Sequence, residues 1–441
     1  MKTQVITFFV ALFFLTACNT KKQAYKDPFA DPFMYSRTVK ELNNVVMQNN
    51  FPPIIASRNY TYANIAAYEV IALGDQRFQS LAGQIKHLPK LPAIETKEVN
   101  FNYASLLAFC KVGQAVTFPE GSMKGYVTGL DSIAIAAGMS DEMMKATKSL
   151  ADAVANHILA WSKKDNYAQT RTAEKFNITT EEGRWVPTPP EYHQALEPHW
   201  NLIRPLVMDS ANQFLTPRPL PFDIKNSASP YYKEVMAVKN SGDSLTDEQK
   251  HIADFWDDLG NRVIMEGHVM FTAKKFSPPG HWMNIVGIAA QKAKADFSTT
   301  VYAYAKTAIA SFDAFIQCWD EKFRSNTVRP ETVINKYLDA DWRPYLQTPP
   351  FPEYTCGHST VSSSAAEALT SVFGDNFAYT DSSELEFGIK NRSFTSFRQA
   401  AEENNWARFY GGIHFHYSCI VSNEFGRKVG TLVNQKLIMK K

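Results

Sequence analysis

The amino-acid sequence predicts an all-α fold, a helical bundle crossed by one proline-rich wrapping segment. Three observations carry this reading. Apolar residues recur at helical spacing over long stretches, and alternating β-branched segments bounded by hairpin turns are nearly absent. The prolines of one stretch, Arg184 to Asp223, number eight, so no long helix runs through it.

Taken in order, Tyr60–Leu73 and Met143–Trp161 each place apolar residues on one helical face. The Arg184–Asp223 stretch also carries Trp185, Tyr192, Trp200 and Phe214, which argues for an ordered segment pressed on the core and against a solvated linker. Beyond it, Ser241–Lys250 reads as a polar helix start, with Thr246-Asp247-Glu248 suited to an N-terminus. Asp254, Asp257 and Asp258 are expected on a solvated helix face, and His281, after Pro278-Pro279-Gly280, is expected to stabilise a turn. Val301, Ala305, Ile309, Phe312, Phe315, Ile316 and Trp319 form a stripe leading into Lys322, in a helix that Pro330 should end near Arg329. A further helix should start near Ser359 and run through Ser364–Phe373 to a C-cap at Gly374.

A chain of 441 residues is long enough for a sizeable core, and a formal charge of +2 gives no reason to expect nucleic acid as a partner. Cationic chemistry must therefore be local. Met1-Lys2 followed by the apolar run Val5–Leu15 reads as a signal peptide, too short for a permanent span. Leu15-Thr16-Ala17-Cys18 resembles a bacterial lipobox, which implies lipidation at Cys18 and an exported lipoprotein of the bacterial cell envelope, at the outer membrane or periplasmic face. The membrane is then a partner through the lipid anchor only. The organisation expected is a signal peptide (1–17), a tether (18–30), an N-terminal helical region with the wrap (31–290) and a C-terminal helical oxyanion-site domain (291–438). Cys110, Cys318, Cys356 and Cys419 contain no Cys-x-x-Cys pair, which disfavours a cysteine zinc site and leaves room for one bridge.

Chemistry concentrates in three clusters. Lys322 precedes Arg329-Pro330 by six intervening residues, and a lysine following Phe315 and Trp319 on an apolar face is costly unless it meets an anion or reaches solvent. Phe351-Pro352-Glu353-Tyr354-Thr355-Cys356-Gly357-His358 breaks the chain before a helix start, whose backbone N–H groups are ready anion ligands that a glycine lets approach closely. Arg408 precedes His414 by five residues, across a Gly411-Gly412 turn that aims His414 away from the preceding helix. Three cations, two histidines and a glycine-lined helix start suit a tetrahedral oxyanion.

The order Lys-x6-Arg-Pro, Gly-His, Arg-x5-His resembles the motif shared by vanadium-dependent haloperoxidases and type 2 phosphatidic acid phosphatases. Phe351-Pro352-Glu353-Tyr354, Tyr410-Gly411-Gly412-Ile413-His414-Phe415 and Pro278-Pro279-Gly280-His281-Trp282 are similar to the bacterial haloperoxidase branch, over about residues 255 to 430. The resemblance implies that Lys322, Arg329, Arg408 and the Gly357 amide bind the oxygens of vanadate, with phosphate as an alternative occupant. It implies that His414 coordinates vanadium, or attacks phosphorus in a phosphatase, and that His358 is the acid/base. Cys356 stands where the family usually has serine, so one oxyanion hydrogen bond is weakened and the thiol is exposed to oxidation by peroxide. Ala407 replaces a second serine, as also occurs in the haloperoxidase branch.

The activity implied is oxidation of iodide or bromide by hydrogen peroxide. Its rivals are an acid phosphatase acting on a phosphate ester through a phosphohistidine, and a non-catalytic oxyanion-binding lipoprotein. His416 is a candidate for the surroundings of the site, Trp319 and Phe351 for its pocket, and Asp320 for tuning the lysine. No His-Glu-x-x-His, phosphate loop, dinucleotide fingerprint or serine-nucleophile elbow is present.

Overall fold

A computed structural model describes residues 25–259, 262–266 and 268–441; the expected signal peptide and Cys18 lie outside them. Fourteen α-helices dominate the described residues: α1 (Pro32–Gln48), α2 (Pro53–Gly74), α3 (Phe101–Val116), α4 (Lys124–Ala136), α5 (Asp141–Ser162), α6 (Tyr167–Thr170), α7 (Pro230–Asp243), α8 (Asp247–Phe255), α9 (Pro278–Lys292), α10 (Phe297–Ser325), α11 (Pro330–Tyr337), α12 (Gly357–Phe373), α13 (Phe397–Tyr410) and α14 (His416–Lys436). Two antiparallel hairpins complete the elements, β1 (Val263–Glu266) with β2 (Val269–Thr272) and β3 (Tyr379–Asp381) with β4 (Arg392–Phe394).

The central helix is α10. Nearly every side chain from Phe297 to Trp319 is buried, because α2, α9, α12 and α14 all pack on it. One hydrophobic core runs from Phe29 to Met439 through this helix. The helix ends at Ser325, earlier than Pro330 alone would require. Asn326 takes a left-handed conformation (φ 49°) and its N–H returns to Lys322 O, a capping geometry asparagine tolerates. Pro330 instead opens α11, where its missing N–H costs nothing, and Arg329 becomes the N-cap.

Other boundaries shift for equally local reasons. Ser241–Asp243 close α7, and α8 begins at Asp247 behind a Thr246/Gln249 capping box. The α12 helix starts at Gly357, two residues before Ser359, and ends at Gly374 (φ 100°). Asp257 and Asp258 lie beyond α8 and are buried, contrary to the solvated face expected of them. His281 sits within the first turn of α9, also buried.

The proline-rich segment is an ordered wrap. Trp185 and Trp200 are buried, and the backbone N–H groups of Leu206, Val207 and Met208 all donate to the Asp313 carboxylate of α10 at 2.7–2.9 Å. All four cysteines Cys110, Cys318, Cys356 and Cys419 are free and buried.

Helices α12 and α14 cross where glycines remove side chains. A Cβ on Gly426 would overlap Thr360 O and Ser363 Oγ, and one on Gly430 would stand 2.6 Å from Ser364 O. The crossing fixes the first half of α12 against the middle of α14. Gly426→Ala is expected to destabilise the protein by about 2–3 kcal/mol through overpacking, read as a lowered denaturant midpoint; an unchanged midpoint would show that the helices separate freely.

Candidate functional site

The three sequence clusters converge at one buried point between α10, α11, α12, α13 and the turn before α14. Lys322, the last buried residue of α10, has no measurable exposure. Its Nζ donates to Pro352 O (2.9 Å) and Glu353 O (3.1 Å), which leaves one of its three N–H groups. Arg329, equally buried, donates from Nε to Phe351 O (2.8 Å) and from Nη1 to Ile413 O (2.8 Å). Arg408, on the last turn of α13, donates from Nη1 to Trp256 O (2.9 Å).

No carboxylate forms a salt bridge with any of these three cations among the described residues. Their charges rest on backbone carbonyls and on aromatic faces. The Phe351 ring centroid lies 4.9 Å from Lys322 Nζ and 5.0 Å from the Arg329 guanidinium, and Trp319 packs on Phe351 at 5.0 Å. Burial pushes Lys322 down to about 8, with the neighbouring Arg329 adding to the effect. Burial likewise lowers Arg329 to about 10, so it remains charged at neutral pH.

Two histidines close the site. His414 is brought in by the Gly411-Gly412 turn, where Gly412 has φ +75° and a Cβ would meet Pro344 and Trp342 at 3.1 Å. Its Nδ1 pairs with Glu353 Oε1 at 2.8 Å, and the same carboxylate accepts from Phe415 N (3.2 Å) and Ser418 Oγ (2.8 Å). An anionic acceptor at Nδ1 places the proton there, so Nε2 keeps its lone pair and accepts from Arg329 Nη1 at 3.1 Å. His358 occupies the first turn of α12. Burial, then Arg408, hold its pKa well below the ordinary histidine range, so it is neutral at pH 7.

Three buried polar groups here have no partner among the described residues: Arg329 Nη2, Arg408 Nε and His358 Nε2. An unmet donor on a buried cation is expensive, about 1–3 kcal/mol or more. Each is a donor or a titratable nitrogen, as a tetrahedral oxyanion requires. The Gly357 N–H adds a first-turn donor of α12, and a Cβ there would press on Trp319 at 3.3 Å.

Cys356 is the N-cap of α12 but makes no side-chain cap bond; its N–H donates to Ser422 Oγ at 2.8 Å. Burial opposes the thiolate, while the Cys419 thiol, donating to it, favours it and draws the Cys356 pKa below the ordinary thiol value. A cysteine in this position is thus a poor donor to a bound anion.

Other expected residues fall elsewhere. Asp320 turns to Asn201 Nδ2 (3.1 Å) and Arg324 (3.5 Å) and makes no bond to Lys322. His416 stacks on Trp406 at 4.2 Å and packs on Phe409. Trp319 and Phe351 are at the site, as the aromatic bed beneath its cations. The role of Glu353 is not visible in the sequence. A glutamate between Pro352 and Tyr354 carries no spacing signal, because its partner lies 61 residues away.

A helical protein with a buried, carboxylate-poor cradle for a tetrahedral oxyanion is what fold and site define. Residues 302–440 match the family described as the VCPO second helical-bundle domain. The chain is similar to the crystal structure of a bacterial vanadium-dependent iodoperoxidase, with 41% identity and a TM-score of 0.88, over 93% of this chain and 97% of that one. It therefore belongs to the vanadium-dependent haloperoxidase family. Bacterial vanadium-dependent chloroperoxidases share the fold in holo form (18% identity, TM-score 0.67, 88% of this chain and 92% of that one) and in apo form (17%, 0.66, 88% and 94%). No curated protein matches the chain.

A lysine depressed to about 8 loses its charge as pH rises through that value, so oxyanion affinity should fall over the same range. Orthophosphate titrations are expected to show wild-type affinity dropping relative to Lys322→Arg, whose guanidinium stays charged. A constant ratio between the two proteins across that range would refute the assignment.

Proposed function

We propose that this protein is a vanadate-dependent haloperoxidase that oxidises iodide or bromide with hydrogen peroxide. The observation that carries the reading is the His414 ring. Glu353 holds the proton on Nδ1 and leaves the Nε2 lone pair facing Arg329, in a cradle of buried cations with unmet donors. That donor set fits vanadate, and similarity to a bacterial iodoperoxidase over almost the whole chain supports the same reading.

His414 Nε2 would hold the metal, while Lys322, Arg329, Arg408 and the Gly357 N–H would hold its oxygens. Bound vanadate supplies Lewis-acid activation of the oxidant. The chain's own residues do the rest. The buried cations stabilise negative charge where no water competes. His358, neutral at working pH, accepts a proton at Nε2 from an incoming acid and returns it to the departing oxygen. Glu353 keeps the His414 ring oriented and its tautomer fixed. Iodide and bromide are easier to oxidise than chloride, which makes them the preferred halides.

Peroxide-dependent iodide oxidation by a form beginning at Lys21, with and without orthovanadate, tests the proposal. Vanadate-dependent turnover should vanish in His414→Ala. Cys356→Ser should tighten vanadate about fivefold, the worth of one ordinary hydrogen bond near 1 kcal/mol. Absence of vanadate-dependent turnover in the parent protein would overturn the reading, and hydrolysis of a phosphate ester through a labelled His414 would replace it with the phosphatase.

The chain is also proposed to be an exported lipoprotein of the bacterial cell envelope, anchored through Cys18. Support comes from the basic start, the short apolar run and Leu15-Thr16-Ala17-Cys18. Among the described residues no helix is long and apolar enough to cross a membrane. Fatty-acid labelling of the full chain should be lost in Cys18→Ala; labelling that persists would sink the anchor.

A further inference from the structure

Outside the oxyanion cradle lies a second buried cluster that the proposed reaction does not use. Asp258 follows α8, His281 is in the first turn of α9, Asp381 ends β3, and Glu384 lies in the short 3-10 helix Ser383–Phe387. All four are essentially inaccessible to solvent.

Hydrogen bonds hold the histidine between two carboxylates. His281 Nε2 lies 2.9 Å from Asp381 Oδ2, and Asp381 Oδ1 is occupied by Ser383 N (2.9 Å) and Ser383 Oγ (2.6 Å). Burial opposes the charged ring, but carboxylates at both nitrogens hold the His281 pKa well above its ordinary value. Without a metal the ring therefore donates from Nε2 to Asp381 and from Nδ1 to Asp258, and a metal binds Nδ1 by displacing its proton. That nitrogen faces Asp258 Oδ1 at 2.9 Å and Glu384 Oε1 at 3.8 Å. Asp258 Oδ2 and both oxygens of Glu384 have no hydrogen-bond partner among the described residues.

With the Nδ1 proton in place Glu384 stays unpartnered, and burial raises its pKa to about 8, so the core holds it as the neutral acid until a cation takes the proton's place. A divalent cation shared by the three side chains satisfies all of them at once. One donor atom from each of Asp258, His281 and Glu384 lies within 4.8 Å of the others. Tetrahedral zinc with bonds of about 2.0–2.1 Å sets its ligands about 3.4 Å apart. The Asp258–His281 pair therefore opens slightly from 2.9 Å and the His281–Glu384 pair closes from 3.8 Å to complete the set. Calcium fits poorly, since it asks for six to eight oxygens and tolerates no buried imidazole nitrogen in their place.

We propose that Asp258, His281 and Glu384 form a structural site for a divalent transition-metal ion of the zinc class, with Asp381 orienting His281 from behind. The site ties together three chain segments that are distant in sequence. It also lies directly behind the oxyanion cradle. The Trp256 ring stacks on His281 at 4.8 Å and 26°, and the Trp256 carbonyl is the acceptor for Arg408. The metal thus braces the residue that aims one of the three anion-binding cations. The inference is independent of the haloperoxidase reading, because vanadium and this metal occupy different ligands.

Elemental analysis of the full chain, purified without chelator and equilibrated with zinc, tests it. About one equivalent of zinc per chain is expected. Glu384→Gln, which keeps the side chain's shape, should lose it, and His414→Ala should retain it. Replacement by cobalt(II) should give the visible absorption of a tetrahedral ion in the parent protein, a readout that needs no variant to fold. Zinc below about a tenth of an equivalent with no such cobalt spectrum, or equal zinc in Glu384→Gln, would overturn the proposal and leave a proton shared among these groups as the account of the cluster.

Discussion

Three cations buried without counter-carboxylates set the terms for everything around them. Lys322, Arg329 and Arg408 have at most 1% exposure, and isolated buried charge is among the costliest things a core can hold. The fold meets the cost with carbonyls from Phe351, Pro352, Glu353, Ile413 and Trp256, each supplied by a non-helical stretch. Carbonyls are partial charges and offset only part of the penalty. The remainder is what a tetrahedral anion can recover on binding. The site's affinity is therefore stored in the fold before the ligand arrives, and the rigid crossing of α12 on α14 keeps it from relaxing away.

The Glu353 carboxylate is directed away from the cations and onto the histidine. Had it turned to Arg329, the cradle would be neutralised and the His414 tautomer left free. Phe415 N shares Oε1 with His414, and Ser418 Oγ occupies Oε2, which holds the carboxylate in place. Orientation of one acid thus decides whether the site binds anions at all.

Much of this was legible in the sequence, and the legible part has a common physical origin. The stripe from Val301 to Trp319 reveals α10 because burial follows helical period along one element. Lys322, Arg329, His358, Arg408 and His414 were found because each cluster is local and its types suit one chemistry. What escaped depends on contacts across long separations. The Glu353 role, the inward burial of Asp257 and Asp258, and the enclosure of His281 by Asp381 cannot be read from neighbours in the chain. Asp320 misled for the same reason: adjacency to Trp319 says nothing about a side chain that leaves for Asn201. Pro330 was understood as a stop and turned out to be a start, since proline serves both ends of a helix and Asn326 had already ended the first.

The Asp313 carboxylate receives three consecutive backbone amides from the wrap, at Leu206, Val207 and Met208. Such a cradle recognises backbone and fixes the spacing of the chain, while the Leu206, Val207 and Met208 side chains, buried in the main core, must stay apolar. Deleting or inserting a single residue there would put the register of the wrap out of step with α10, the helix that carries Lys322. Sequence drift in this segment should accordingly proceed by substitution, with changes of length confined to its exposed bends.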